Sequence, residues 1–228
     1  MRITVLTGAG ISAESGIKTF RDADGLWEGH DVMEVASPQG FARNPELVLD
    51  FYNQRRRQLK EVKPNAAHLA LAALEEVHDV TIITQNVDDL HERAGSSKVV
   101  HLHGELLKAR STFDEGLVMD WTEDLVLGDM DEHNYQLRPH IVWFGEAVPL
   151  IELAAEIVSQ TEALMIVGTS MQVYPAAGLA QMAPYQTPIY FVDPKPAMEA
   201  GGRLEVFAEP ATTGVPKVID RINTSHGR

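Results

Sequence analysis

Val80-Thr81-Ile82-Ile83-Thr84-Gln85-Asn86-Val87-Asp88-Asp89-Leu90-His91 passes abruptly from apolar to polar residues, and that passage decides the fold class. A short, β-branched, apolar run reads as a strand buried on both faces of a parallel sheet. The amides, carboxylates and imidazole that follow then emerge at the strand's C-terminal end, the ligand-binding edge of an open α/β sheet. Val100-His101-Leu102-His103-Gly104-Glu105 comes shortly after and adds two more imidazoles. Read alone, the stretch is more plainly an ordinary loop whose Asn and Asp cap a helix and whose histidines are surface residues.

A second, independent signal stands at the start of the chain. Strand-like Ile3 to Leu6 runs into Thr7-Gly8-Ala9-Gly10-Ile11-Ser12-Ala13-Glu14-Ser15-Gly16. Gly8, Gly10 and Ala13 fit the G-x-G-x-x-G/A pattern, in which small residues let the backbone approach a pyrophosphate at a helix N-terminus. A standard dinucleotide fold would return at once to a second strand with a ribose-binding acid. Here the chain enters a polar loop from Lys18 to Trp27, in which Arg21 is placed to face phosphate or Phe20 and Trp27 anchor the loop to the core.

Between these signals, Asn44 as N-cap, Pro45 and Glu46 announce a helix with Leu47, Val48, Phe51 and Leu59 as its apolar positions. Tyr52 and Arg55 share one of its faces, a phenol and a guanidinium suited to a carboxylate. By spacing alone, Arg55, Arg56 and Arg57 read instead as a solvated basic stripe near the helix end. A second helix opens at Pro64-Asn65 and packs through Ala67, Leu69, Leu71, Ala72 and Leu74. Leu106 to Leu137 is acidic and irregular, an excursion from the sheet. Ile141 to Glu146 reads as a strand ending in a glycine turn.

The α/β rhythm then resumes. A helix from Leu150 to Ser159 leads to strand Ala163 to Val167 and the turn Gly168-Thr169-Ser170. A helix around Ala176 to Met182 leads to strand Ile189 to Val192, tipped by Asp193, which holds ribose hydroxyls or starts a turn. Thr212, Thr213, Gly214 and Pro216 precede a short closing helix at Val218 to Ile222. With 228 residues, 44% of them apolar, the chain suits one domain, and no apolar run reaches the roughly 18 residues that span a bilayer. We therefore expect a cytoplasmic protein without membrane attachment. A net charge of -14 argues against sequence-independent nucleic-acid binding, which neutralises phosphates with Lys and Arg. The absence of cysteine excludes disulfides, thiolate metal sites and cysteine nucleophiles.

Taken together, Gly8-Ala9-Gly10-Ile11-Ser12, Thr19-Phe20-Arg21, Gly25-Leu26-Trp27, Thr84-Gln85-Asn86-Val87-Asp88, Leu102-His103-Gly104, Val142-Trp143-Phe144-Gly145-Glu146 and Gly168-Thr169-Ser170 resemble the sirtuin family in order and rough spacing over almost the whole chain. The resemblance implies an NAD-dependent protein-lysine deacylase. It implies a Rossmann-like parallel sheet with helices on both faces (about 1-30, 62-105 and 140-228), plus a small module of helices and a lobe (about 31-61 and 106-139).

Carried over by position, the resemblance implies that Gly8, Ala9, Gly10, Ser12, Ala13 and Glu14 cradle the pyrophosphate. Thr19, Phe20, Arg21 and Trp27 belong to the cofactor loop. Gln85, Asn86 and Asp88 hold the nicotinamide ribose and carboxamide, with Asn86 taking part in the chemistry. His103 is the general base, because His101 stands too far ahead of the Gly104-Glu105 pair. Gly168, Thr169, Ser170, Asp193 and Ala211 meet the adenosine half. Val142, Trp143, Phe144, Gly145 and Glu146 pair with the substrate backbone. Tyr52 and Arg55 match a branch that prefers acidic acyl groups such as succinyl or malonyl alongside acetyl, with nicotinamide and O-acyl-ADP-ribose as products.

Typical sirtuins carry two cysteine pairs between the His-Gly and Phe-Gly-Glu motifs, and this chain has none. Asp114, Asp120, Asp129, Asp131, Glu132 and His133 show no recognised zinc spacing, so we expect a zinc-free lobe held by Leu117, Val118, Trp121, Leu125 and Leu127. The competing functional readings are an ADP-ribosyltransferase or NAD-cleaving variant, and a non-catalytic module that binds NAD or acyl-peptide.

Overall fold

The computed structural model describes residues 1–18, 26–171, 174 and 176–226. Thr19, Phe20, Arg21 and Gly25, assigned above to the cofactor loop, lie outside the described residues. A six-stranded, all-parallel sheet runs Leu204–Phe207, Ile189–Val192, Ala163–Val167, Arg2–Thr7, Asp79–Thr84, Val99–His101. Alternate side chains point to opposite faces, so each strand serves two cores. Ile3, Val5, Ile82, Met165 and Val167 meet Leu71, Leu74, Val215, Val218 and Ile222 of two helices on one face. Leu6, Ile83, Leu164, Ile166 and Phe191 meet Ala154, Val158 and Leu179 on the other. Covering both faces is what permits parallel strands this apolar. The fold is α/β, as expected.

The chain leaves Arg2–Thr7 toward one edge of the sheet and Ala163–Val167 toward the other, so these neighbouring strands form the switch point where ligands bind in such sheets. Several elements differ from expectation. The glycine turn opens two single 3-10 turns, Ala9–Ile11 and Ala13–Ser15, rather than an α-helix. Ala176–Met182 is likewise 3-10. The closing helix spans Ala211–His226 and takes in Thr212, Thr213, Gly214 and Pro216, and at Gly214 it passes so close to the Val192 side chain that a Cβ would strike it. Leu69 faces solvent, 54% exposed, rather than the sheet.

The excursion is an antiparallel sheet with Gly104–Ser111 between Val118–Asp120 and Leu137–Ile141. It therefore reaches two residues beyond each end of the interval 106-139. Of the apolar residues expected to hold it, Leu125 is buried and Trp121 packs beside it, but Val118 and Leu127 are exposed. Polar bonds from the helix Pro45–Glu61 do the rest. Asn53 donates to the Leu125 carbonyl and accepts from its amide at 3.0 and 2.8 Å. Arg56, 1% exposed, donates to Leu106 O and to Asn53 Oδ1, so it does not belong to a solvated stripe. At the lobe's tip, Ser111 Oγ accepts the amides of Phe113 and Asp114, and Asp131 Oδ1 those of His133 and Tyr135. A hydrogen bond from Ser111 helps hold the Asp131 carboxyl below its ordinary pKa.

Candidate functional site

Loops from four strand ends converge at the switch point. Gly8 N donates to Val167 O and Gly10 N to Gly168 O at 3.0 and 2.8 Å. The approach is so close that a Cβ on Gly10 would stand 2.6 Å from Gly168 Cα, while Gly168 itself has φ +61. Glycine is therefore needed to join the two loops, whatever they bind. Asn86 Nδ2 donates to Gly8 O and to Ser12 Oγ, both at 3.2 Å, and Ser12 Oγ donates to Asp88 Oδ2 at 3.0 Å. Gln85 Nε2 donates to Thr169 Oγ1 at 3.0 Å. Gly8, Ser12, Gln85, Asn86, Asp88 and Thr169 thus form one connected floor, with Ser170 next in the chain. Ser12 is fully buried, and burial raises the Asp88 pKa despite hydrogen bonds from Leu90 N and Ser12.

His103 is tied to this floor through its Nδ1, 3.0 Å from Gln85 O. A carbonyl only accepts, so Nδ1 carries the proton and Nε2 is the bare, basic nitrogen. No partner for Nε2 occurs among the described residues. Burial lowers the pKa of this imidazole, against a smaller upward effect of the Gln85 carbonyl. His101 differs, since its Nδ1 meets Asn86 O at 3.0 Å and its Nε2 meets Glu92 Oε1 at 2.7 Å. Both of its nitrogens are engaged, which leaves His103 as the available base. Gly104, at φ +82, follows because a Cβ there would strike the His140 carbonyl.

The other residues expected at the site also carry contacts within the chain. Glu14 accepts from the amide and hydroxyl of Thr212, capping the last helix. Ala13 is exposed beside it, Ala9 half-buried. Asp193 is buried and accepts from Lys195 N at 2.8 Å, a turn-forming contact, and Ala211 packs into the core. Val142 to Glu146 is not a strand: it leaves the sheet at Ile141. The amides of Val142, Phe144 and Glu146 donate to His103 O, Ala36 O and Trp143 O, and that of Trp143 to Glu146 Oε2. Glu146 also takes both Arg138 and Arg110 as ion pairs. Glu146 and buried Trp143 therefore brace the segment from within, and Val142, Phe144 and Gly145 remain its accessible part.

Trp27 packs its ring 5.0 Å from Phe51 and 6.2 Å from Tyr52. Tyr52 is fully buried, accepts from Trp143 Nε1 at 2.9 Å, and has its pKa driven up by burial, so its phenol keeps its proton. Arg55 lies with its guanidinium carbon 4.2 Å from the Phe51 ring centre, a cation–π contact. Its Nε and Nη1 are buried and have no hydrogen-bond partner among the described residues. Burial lowers its pKa; Glu28, Tyr52 and Asp50 act in the opposite direction. Thr7, Thr84 and His91 were quoted within the motifs but given no role, and Glu92 was not singled out; their hydroxyls, ring and carboxylate support the floor from below.

Residues 8–175 match the model of the Sir2 family. The chain belongs to the Sir2 family. It is 66% identical over 193 residues to a Helicobacter pylori protein named NAD-dependent protein deacylase, covering 85% of this chain and 84% of that one. A Bacteroides thetaiotaomicron protein of the same name is 50% identical over 223 residues, 95% of each chain. Among solved structures, a Sir2 homologue–NAD complex superposes with TM-score 0.85 at 35% identity, covering 98% of this chain and 90% of that one. Sir2 bound to acetylated peptide gives TM-score 0.79 at 28% identity, over 97% and 93%. The chain has no cysteine, and no group of three or more His, Asp or Glu is placed to hold a metal among the described residues. No helix among them is long and apolar enough to cross a membrane.

Proposed function

We propose that this Sir2 protein is an NAD-dependent protein-lysine deacylase that removes acidic acyl groups, of the succinyl and malonyl type, as well as acetyl. Bound NAD supplies an electrophilic ribose carbon and the nicotinamide leaving group. The floor of Gly8, Ser12, Asn86 and Asp88 suits it, with amide and carboxylate groups held by one another and a backbone turned close by glycine. Asn86 and Asp88 orient the nicotinamide ribose, so that the acyl oxygen of the lysine substrate meets it from the side opposite the leaving group. His103 Nε2 takes a proton from a ribose hydroxyl, and water completes release of the free lysine. Val142, Phe144 and Gly145 receive the peptide around the acyl-lysine. The lowered pKa of His103 keeps this base neutral, so on the acid side activity should fall as pH drops through a value below 6.5. A pH profile of kcat/KM whose acid limb lies above that value contradicts the assignment.

The observation that supports the acidic acyl preference is the half-buried Arg55 guanidinium near Tyr52, two of whose nitrogens are closed to water and have no hydrogen-bond partner among the described residues. Donors closed to water without an acceptor are costly, and a carboxylate in bidentate contact relieves them. The test compares matched succinyl-, acetyl- and unmodified lysine peptides with NAD, following peptide mass and nicotinamide. Arg55→Met should cut kcat/KM for the succinyl peptide by about 10- to 100-fold, the scale of one lost charge-assisted contact, and spare the acetyl peptide. Equal losses on both peptides remove the preference. ADP-ribose transfer to the peptide in place of acyl loss removes the deacylase assignment itself.

A further inference from the structure

We propose that His101 and Glu92 form a positioning pair, an imidazolium held between the Asn86 carbonyl and a carboxylate, which fixes the loop bearing Gln85, Asn86 and Asp88 for NAD. This rests on the function proposed above. The geometry leaves little choice of protonation. His101 Nδ1 is 3.0 Å from Asn86 O, an atom that only accepts, and Nε2 is 2.7 Å from a Glu92 carboxylate oxygen. Both nitrogens must donate, and an imidazole with two protons is a cation. His103, two residues on, meets a carbonyl at Nδ1 alone and stays neutral. Two imidazoles with different charges thus grip consecutive carbonyls, Gln85 O and Asn86 O, of one loop.

The peptide unit that precedes Asn86 is held too. Its N–H donates to Thr84 Oγ1 at 3.0 Å, and Thr84 Oγ1 accepts from Thr7 Oγ1 at 2.8 Å. Glu92 sits on the helix Leu90–Ala94, which follows Asp88 directly, so the pair also pins that helix to the strand Val99–His101. The His101 side chain is 8% exposed, and a small cavity beside it is lined by Asp88 and Asp89 from the loop, Glu105 and Lys108 from Gly104–Ser111, and Asp120 from Val118–Asp120. Lys108 is taken up by Glu105 at 2.9 Å, so the surroundings are acidic on balance. Burial pushes the His101 pKa down, but Glu92, the Asn86 carbonyl and Glu105 together outweigh it and hold the pKa above its ordinary value. The buried, neutral His91 ring also lies close enough to feel this charge.

A group whose pKa is raised in the folded state contributes below that value and stops contributing as pH rises through it. Once His101 loses its Nε2 proton, a lone pair faces the Glu92 carboxylate, the pair opens, and the Asn86 carbonyl loses its brace. The test uses the full chain and two readouts. In the NAD-free wild type at pH 7.5, nitrogen–proton correlation of the imidazoles should show both His101 nitrogens protonated and only Nδ1 of His103. Glu92→Gln keeps the shape at a partly exposed position. It should move the alkaline limb of kcat/KM for NAD to lower pH and lower that constant by about tenfold, while KM for the acyl peptide stays put. A bare His101 Nε2 at pH 7.5, or a Glu92→Gln profile that overlays the wild type, overturns the pairing. A wild type without deacylase activity would sink the functional reading but leave the nitrogen signals to decide this one.

Discussion

Along Arg2–Thr7 and Ala163–Val167 almost every side chain is buried and most are apolar, whereas Gly104–Ser111 places a guanidinium, Arg110, and a hydroxyl, Ser111, at positions just as closed to water. The large sheet is stabilised by apolar area removed from water, which has no direction and tolerates exchange of similar shapes. The lobe is stabilised by donors and acceptors whose loss leaves a partner buried and unsatisfied. The loop carrying Gln85, Asn86 and Asp88 lies between them, anchored at Asp79–Thr84 on one side and at Leu106 N, which donates to Val87 O, on the other.

The largest break in this contrast should come from Arg56→Ala. It removes the side-chain donor to Leu106 O and one of the two donors to Asn53 Oδ1, which keeps the Leu125 amide, and it empties a large buried volume, at a cost of about 3 to 5 kcal/mol in urea unfolding. Amide exchange should open first in Gly104–Ser111 and Leu137–Ile141, and uniform opening of both sheets would erase the distinction. Next comes acid. Burial lowers the His68 pKa to about 4 and lowers that of His91 as well. Both must gain protons on unfolding, so stability is intact above about 6.5 and is lost as pH falls toward 4, by roughly 3 kcal/mol for His68 alone. His68 lies on the sheet side, so the loss should appear in global unfolding, and a flat stability from pH 7 to 5 contradicts it. Ile82→Val in the sheet should cost only about 1 kcal/mol, since the shape is nearly kept. Arg57→Ala, which removes an exposed contact with Asp124, should change stability by about 0.5 kcal/mol or less.

The large sheet was legible because its strands are short apolar runs, each ending in a polar or glycine turn: Ile83 before Thr84-Gln85-Asn86, Val167 before Gly168. The site's members were legible as motifs, but not their bonds. Nothing in the spacing of Asn53 and Arg56 separates a bond to the lobe backbone from a solvated helix face, because the Leu125 and Leu106 backbone groups they meet lie far along the chain. The ion pairs of Glu146 with Arg110 and Arg138 were invisible for the same reason, since the three residues are brought together only by the fold. His101 was set aside for its place in the motif, and the two acceptors at its ring, from Asn86 and Glu92, could not be read from the sequence. The lobe's strands were missed because buried Arg110 and Ser111 break the apolar pattern on which strand recognition depends.

One reaction tests the convergence of His103, Asn86 and Asp88 most directly: NAD with an acyl-lysine peptide, nicotinamide and deacylated peptide counted together, for the wild type and His103→Ala. The wild type should release one nicotinamide for each lysine freed, and His103→Ala should be slower by about 10²- to 10⁴-fold while still binding NAD. Turnover by His103→Ala at the wild-type rate, or nicotinamide released by the wild type without acyl loss, would contradict it.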